Sequence, residues 1–152
     1  MAYIDLKYKR DENKICDNPH KGWYVHFYDN GLFNYGGKLK EDDFLKDFPF
    51  MDHIYLRLAW AYLEPEEGKF NWDLIDRVIK RFEGKYRFAF RITCKETDDT
   101  LPYATPKWVE DSGAKGNMVN GYFEPEYGDE IFLEKLENFH KAFAERYDGR
   151  ND

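Results

Sequence analysis

Apolar and polar residues change places along this chain with two different periods. Lys21 to Tyr28 (KGWYVHFY) is rich in aromatic and β-branched residues, follows an Asn18-Pro19 breaker and runs into Asp29-Asn30-Gly31, which predicts a strand closed by a turn. In His53 to Trp60, Ile54, Leu56 and Leu58 alternate with Tyr55, Arg57 and Ala59, so a second strand has one apolar and one mixed face. Tyr86 to Thr93 repeats this pattern, with Phe88, Phe90 and Ile92 on one side and Ala89 and Arg91 on the other. The helical period appears between and after these strands. Glu41 to Phe48 reads as a short helix, and Trp72, Ile75, Val78, Ile79 and Phe82 form one stripe that Asn71 is placed to cap and Gly84 to end. Phe132, Leu136, Phe139, Phe143 and Tyr147 line a longer helix between Asp129 and Gly149. The stretch 95–128, rich in Thr, Asp, Gly, Pro and aromatic residues, is far longer than an ordinary connection and is expected to be a functional or partly disordered loop.

Strand and helix in alternation predict an α/β fold with a parallel sheet whose apolar face lies under the helices. In a closed (β/α)8 TIM-type barrel the other face points inward, and the carboxyl ends of the strands surround the active site. Arg57 and Arg91 fall near those ends on the non-helix face, so the expectation is a pair of inward cations at a barrel mouth. About three strands of such a barrel are present. In such a barrel the stretch 95–128 would lie at the active-site face.

Composition narrows the partners. The chain has 152 residues, enough for one domain, and its 23 basic against 30 acidic residues give a formal charge of -7. No cluster of Lys and Arg interleaves with aromatic residues to track a phosphate backbone, so nucleic acid is not an expected partner. No apolar run approaches membrane-spanning length, and Met1 to Lys7 is polar rather than leader-like. The chain as it stands is expected to stay in the cytoplasm, or to be secreted after losing a leader. Cys16 and Cys94 have no neighbouring Cys or His at metal spacing and are read as free thiols. No metal site, glycine-rich phosphate loop or other cofactor motif is visible. The aromatic content, 12 Tyr, 13 Phe and 4 Trp, suits both a core and a binding cleft.

The segment RLAWAYLEPEEGKFNWDLID, Arg57 to Asp76, resembles the second strand and following loop of clan A glycoside hydrolases, notably the β-galactosidase-like barrels: an Arg near the strand end, a Trp, Glu-Pro, a Gly and an aromatic before a helix. NPHKGWY, TPKWVEDSGA and EPEYGDEIFLEKLENFHKAFAERYDGR look like further segments of an uncharacterised branch of such barrels. The resemblance runs over most of the chain from Asn18 and implies a carbohydrate substrate and a two-carboxylate mechanism. It also implies that the acid/base glutamate ends strand four and the nucleophile ends strand seven, both expected beyond residue 152, so 1–152 is read as the amino-terminal part of one barrel domain and alone should be inactive.

The resemblance places Arg57 beside the nucleophile, where a guanidinium holds a carboxylate ionised through two hydrogen bonds. Arg91 is its weaker counterpart. Trp108, after Thr105-Pro106 in the long loop, is a candidate platform for a sugar ring, and Trp60 is a second candidate or a packing residue. His26 is a candidate contact for a substrate hydroxyl or a structural histidine. Glu64 is a supporting residue that braces Arg57 or the loop. Two rivals stand beside the enzyme fragment. In one, the chain is a complete glycosidase drawing a carboxylate pair from Glu64, Glu66, Glu67, Glu124 and Glu126, about 5 Å apart for a retaining mechanism and wider for an inverting one. In the other it is a non-catalytic carbohydrate-binding protein or one that associates with itself through an open sheet edge.

Overall fold

The computed structural model describes residues 20–30, 49–95 and 102–150, and for 28–30 the backbone alone. Three strands, β1 (Trp23–Asn30), β2 (Met51–Ala59) and β3 (Arg87–Thr93), form one sheet in the order β1-β2-β3. Both pairings are parallel. The described residues are thus a mixed α/β structure with an open parallel sheet, not a closed barrel. The expected helix at 41–48 and the thiol of Cys16 lie outside the described residues.

Each element follows from a local cause. In β2, Ile54, Leu56 and Leu58 are fully buried and the intervening Tyr55 and Arg57 are half-buried, the alternation of a strand covered by helices on one side. Helix α1 (Trp60–Leu63) begins directly after β2, so Trp60 opens a helical turn instead of ending the strand. Helix α2 (Asp73–Phe82) buries Leu74, Ile75, Val78, Ile79 and Phe82. Its amino-terminal cap position is Trp72 and carries no side-chain hydrogen bond, which corrects the expected Asn71 cap by one residue. Gly84, with φ of +76°, reverses the chain after it as expected.

The stretch 95–128 departs from the expected loop. Its described part contains a short helix, α3 (Lys107–Asp111), and an antiparallel hairpin of β4 (Gly116–Val119) and β5 (Tyr122–Pro125). Asn120 and Gly121 make the hairpin turn with φ of +53° and +87°, the left-handed pair that a two-residue turn between twisted strands requires. A Cβ at Gly116 would collide with the Phe123 ring, so glycine there admits close packing.

Helix α4 (Glu130–Tyr147) starts where Asp129 accepts the N–H groups of Ile131 and Phe132, both at 3.0 Å. Its Phe139, Phe143 and Tyr147 pack on Trp72, and Phe143 and Tyr147 also pack on Phe90 of β3. The Tyr147 hydroxyl donates to Asp76 at 2.9 Å, and Arg146 pairs with the same carboxylate. α2 and α4 thereby form one layer over the apolar side of the sheet, where the main core sits.

Candidate functional site

Pairing register brings the sequence-selected residues of the other sheet face together. Arg57 pairs with Arg91 across β2 and β3, and Asp29 of β1 pairs with Arg57 from the opposite side. A register shift between His26 and Tyr28 produces this alignment by leaving Phe27 as an extra residue in β1. Phe27 is buried and lies edge-on to Phe82, 5.4 Å between ring centres. Asp29 is therefore a strand residue at the Arg57 level, whereas Asp29-Asn30-Gly31 reads in sequence as a turn. Its position depends on the bulge, and no local pattern signalled it.

One step toward the amino end, His26 stacks on Tyr55 at 4.6 Å and 14°. Histidine is thus built into a face formed by Tyr55, Arg57 and Arg91, with Arg57 half-buried and Arg91 exposed. Neighbouring strands lie about 4.8 Å apart, and like charges directly opposite one another destabilise a sheet. At this register the three strands supply two arginines and one aspartate.

Trp60, Glu64 and Trp108 form a separate, buried cluster. Trp60 has no exposed surface and lies against Trp108, Phe132 and Phe139 at ring distances of 5.8, 6.3 and 5.5 Å. That leaves no ring face for a sugar, so Trp60 acts as packing. Its Nε1 donates to Glu64 Oε2 at 2.8 Å, while the Gly68 N–H donates to Oε1 at 2.8 Å. Trp108 is half-buried, and its Nε1 donates to the Glu64 carbonyl at 2.9 Å. The proposed sugar platform is thus edge-on to Trp60 and held at its polar end. Burial raises the Glu64 pKa above the ordinary carboxylate value, against the two hydrogen bonds that favour its charge. Glu64 braces the loop after β2; its carboxylate bonds are to Trp60 and Gly68 and not to Arg57.

The same corner is closed from the β3 side. Ala61 N–H donates to Ala104 carbonyl at 2.9 Å, and the buried Thr105 hydroxyl donates to the Cys94 carbonyl at 2.7 Å. Burial pushes the Cys94 thiol up to about 11, so it is protonated near neutrality and a poor nucleophile. Of the other acids considered for catalysis, Glu66 pairs with Lys69, Glu67 with Lys135 and Glu124 with Lys95, while Glu126 stands in the turn before α4, where its carbonyl accepts the Asp129 N–H. Among the described residues no group of three or more His, Cys, Asp and Glu is arranged to hold a metal ion, and no helix is long and apolar enough to cross a membrane. No protein-family model, curated protein or solved structure matches the chain.

Proposed function

We propose that the chain is the amino-terminal part of a (β/α)8 glycoside-hydrolase barrel of the β-galactosidase-like kind, acting on carbohydrate through two carboxylates supplied from beyond residue 152. The observation that carries this reading is the alignment of Arg57 with Arg91 on the sheet face away from the helices, toward the carboxyl ends of their strands. A guanidinium there is suited to hold a nucleophilic carboxylate ionised by paired charge-assisted hydrogen bonds. Consecutive parallel strands and a helix layer on the opposite face fit the first units of a barrel. The engaged state of Glu64, Glu66, Glu67 and Glu124 disfavours a carboxylate pair drawn from this segment.

Aryl glycoside hydrolysis tests the assignment. Purified 1–152 is expected to release no aryl alcohol, whereas a product extended through the downstream reading frame is expected to do so. In that product Arg57→Ala should lower kcat by roughly two orders of magnitude, with a much smaller change in KM, as loss of transition-state electrostatics does. Hydrolysis by 1–152 that disappears with one Glu→Gln change inside it would place the carboxylates here and overturn the proposal.

A second reading, self-association, is favoured by one observation. Trp23 and Phe50 are 73% and 81% exposed next to the paired start of β1 and β2, an apolar patch at the amino end of the sheet. Light scattering should show a concentration-dependent dimer that Trp23→Ser dissociates; a monodisperse monomer at high concentration removes this reading.

A further inference from the structure

The first residues of β1 and β2 meet in a contact that the barrel reading does not use. His53 is 1% exposed, and among the described residues neither of its ring nitrogens has a hydrogen-bond partner. Tyr24, its register partner in β1, stacks on the imidazole at 4.1 Å and 11°, and the Tyr24 hydroxyl donates to the His20 carbonyl at 2.6 Å. Tyr24 is itself 43% exposed, so a ring open to solvent lies over a buried one. Asp52 accepts the Trp23 N–H at 2.9 Å and lies so close to Gly22 that a Cβ there would collide with it, which ties the same end of β1 to β2. The ladder is weak here. Pairing slips between Trp23 and Tyr24, and among the described residues β1 pairs with β2 alone.

A neutral imidazole can occupy such a place, whereas an imidazolium cannot. The neutral ring leaves one donor and one acceptor unmade; the protonated ring leaves two donors and a full charge without an acceptor. Its surroundings oppose that charge. Arg87 of β3 is its other register partner, the His20 ring lies 6.5 Å away, and Lys21 and Lys85 line the open pocket beside the same residues. Next along this face come Tyr55 and the His26 ring stacked on it. Asp52 is the one acid in this described group, and its carboxylate already accepts the Trp23 N–H. A cation over the Tyr24 ring would be attracted to it, but that attraction is smaller than the cost of burying an unpaired charge. Burial first, then the Arg87 charge, holds the His53 pKa below the ordinary 6.5, with Asp52 acting in the opposite sense.

We infer that Tyr24 and His53 form an acid-released latch: near neutrality the uncharged ring holds the amino end of β1 on β2, and in mild acid protonation of His53 frees residues 20–26 while β2, β3 and their helices stay folded. The sign follows from linkage. Opening exposes His53, which then takes a proton at its ordinary 6.5, and the closed form binds that proton less tightly. The closed form is therefore favoured above 6.5 and loses its advantage as pH falls through that value. Between pH 7.5 and 5.0 opening should become easier by up to roughly thirtyfold, about tenfold for each unit below the ordinary value.

Amide hydrogen exchange of 1–152 over this range, corrected for the intrinsic pH dependence of exchange, reads the latch directly. Protection of residues 23–26 should fall by up to roughly thirtyfold, while protection from Phe88 to Ile92 and in α4 stays constant. His53→Phe keeps a ring under Tyr24 and removes the titration, so β1 protection should then be level with pH. His20→Gln and His26→Phe should retain the decline. In Tyr24→Ala the covering ring is gone, and the His53 ring resonances should titrate closer to 6.5 than in the parent. Level β1 protection in the parent, an equal decline in His53→Phe, or a decline shared by all three strands overturns the latch. So does a His53 ring that takes its proton, by NMR, with β1 still protected, because protonation would then require no opening.

Discussion

The two faces of the parallel sheet solve different problems. Toward the helices, Ile54, Leu56 and Leu58 are fully buried in one apolar cluster with Ile75, Phe139 and their neighbours. On the other face Tyr24 stacks on His53, His26 stacks on Tyr55, and Arg57 lies level with Arg91. A face that only had to be filled would carry aliphatic groups, because burying polar atoms is unfavourable unless each is satisfied. The first face makes the fold, and the second holds groups whose value lies in what they contact.

Truncation should separate the faces most clearly in the helix-side layer. Phe139→Ala, which removes a fully buried ring touching Trp60, Phe70 and Trp72, is expected to lower stability by about 3–5 kcal/mol in urea unfolding. Glu64→Ala should cost about 2–3 kcal/mol, because it strands the buried Trp60 Nε1 and the Gly68 N–H. Glu64 also predicts a pH dependence. Its folded-state pKa is raised, so the folded protein binds that proton more tightly than the unfolded chain. Stability from this group is greatest below the ordinary value of 4.5 and declines as pH rises through the interval up to the raised value. Urea midpoints for Glu64→Gln should lack that decline; an unchanged profile would exclude Glu64 as its source.

Smaller effects test the edges of the helix layer. Tyr147→Phe removes the hydroxyl bond to Asp76 and should cost about 1–2 kcal/mol, with the ring packing retained. Asp129→Ala should cost about 1 kcal/mol through loss of the α4 cap, seen as a lower urea midpoint with unchanged slope. Arg91→Ala, on the opposite face, should stay within about 0.5 kcal/mol of the parent, since Arg91 is exposed and opposes a like charge. A loss of several kcal/mol there would mean that the polar face is structural after all.

Much of this was legible in the chain. Period-two runs located β2 and β3, the aromatic and β-branched run from Lys21 to Tyr28 located β1, the stripe from Trp72 to Phe82 located α2, and Asp129 marked the start of α4 because a carboxylate before an apolar stripe satisfies orphan N–H groups. The β4–β5 hairpin was also written there: Asn120-Gly121 between Met118-Val119 and Tyr122-Phe123 is a two-residue turn signal. It was obscured by the polar, proline-rich character of the surrounding stretch. For the candidate site, alternation put Arg57 and Arg91 on the correct face but gave no means of finding Asp29, which depends on a bulge. It also gave no means of knowing that Glu64 would turn inward to Trp60.

The sequence by itself determined the order of β1, β2, α2, β3 and α4, the apolar face of β2 and of each of these helices, and the residues that bound the last helix, because these depend on neighbours within a few residues. Only the tertiary structure decided that Arg57 meets Arg91, that Trp60 and Trp108 close over Glu64, and that His53 ends buried under the Tyr24 ring. Those outcomes depend on inter-strand register and on packing between segments distant in the chain, and neither is encoded in any single local period.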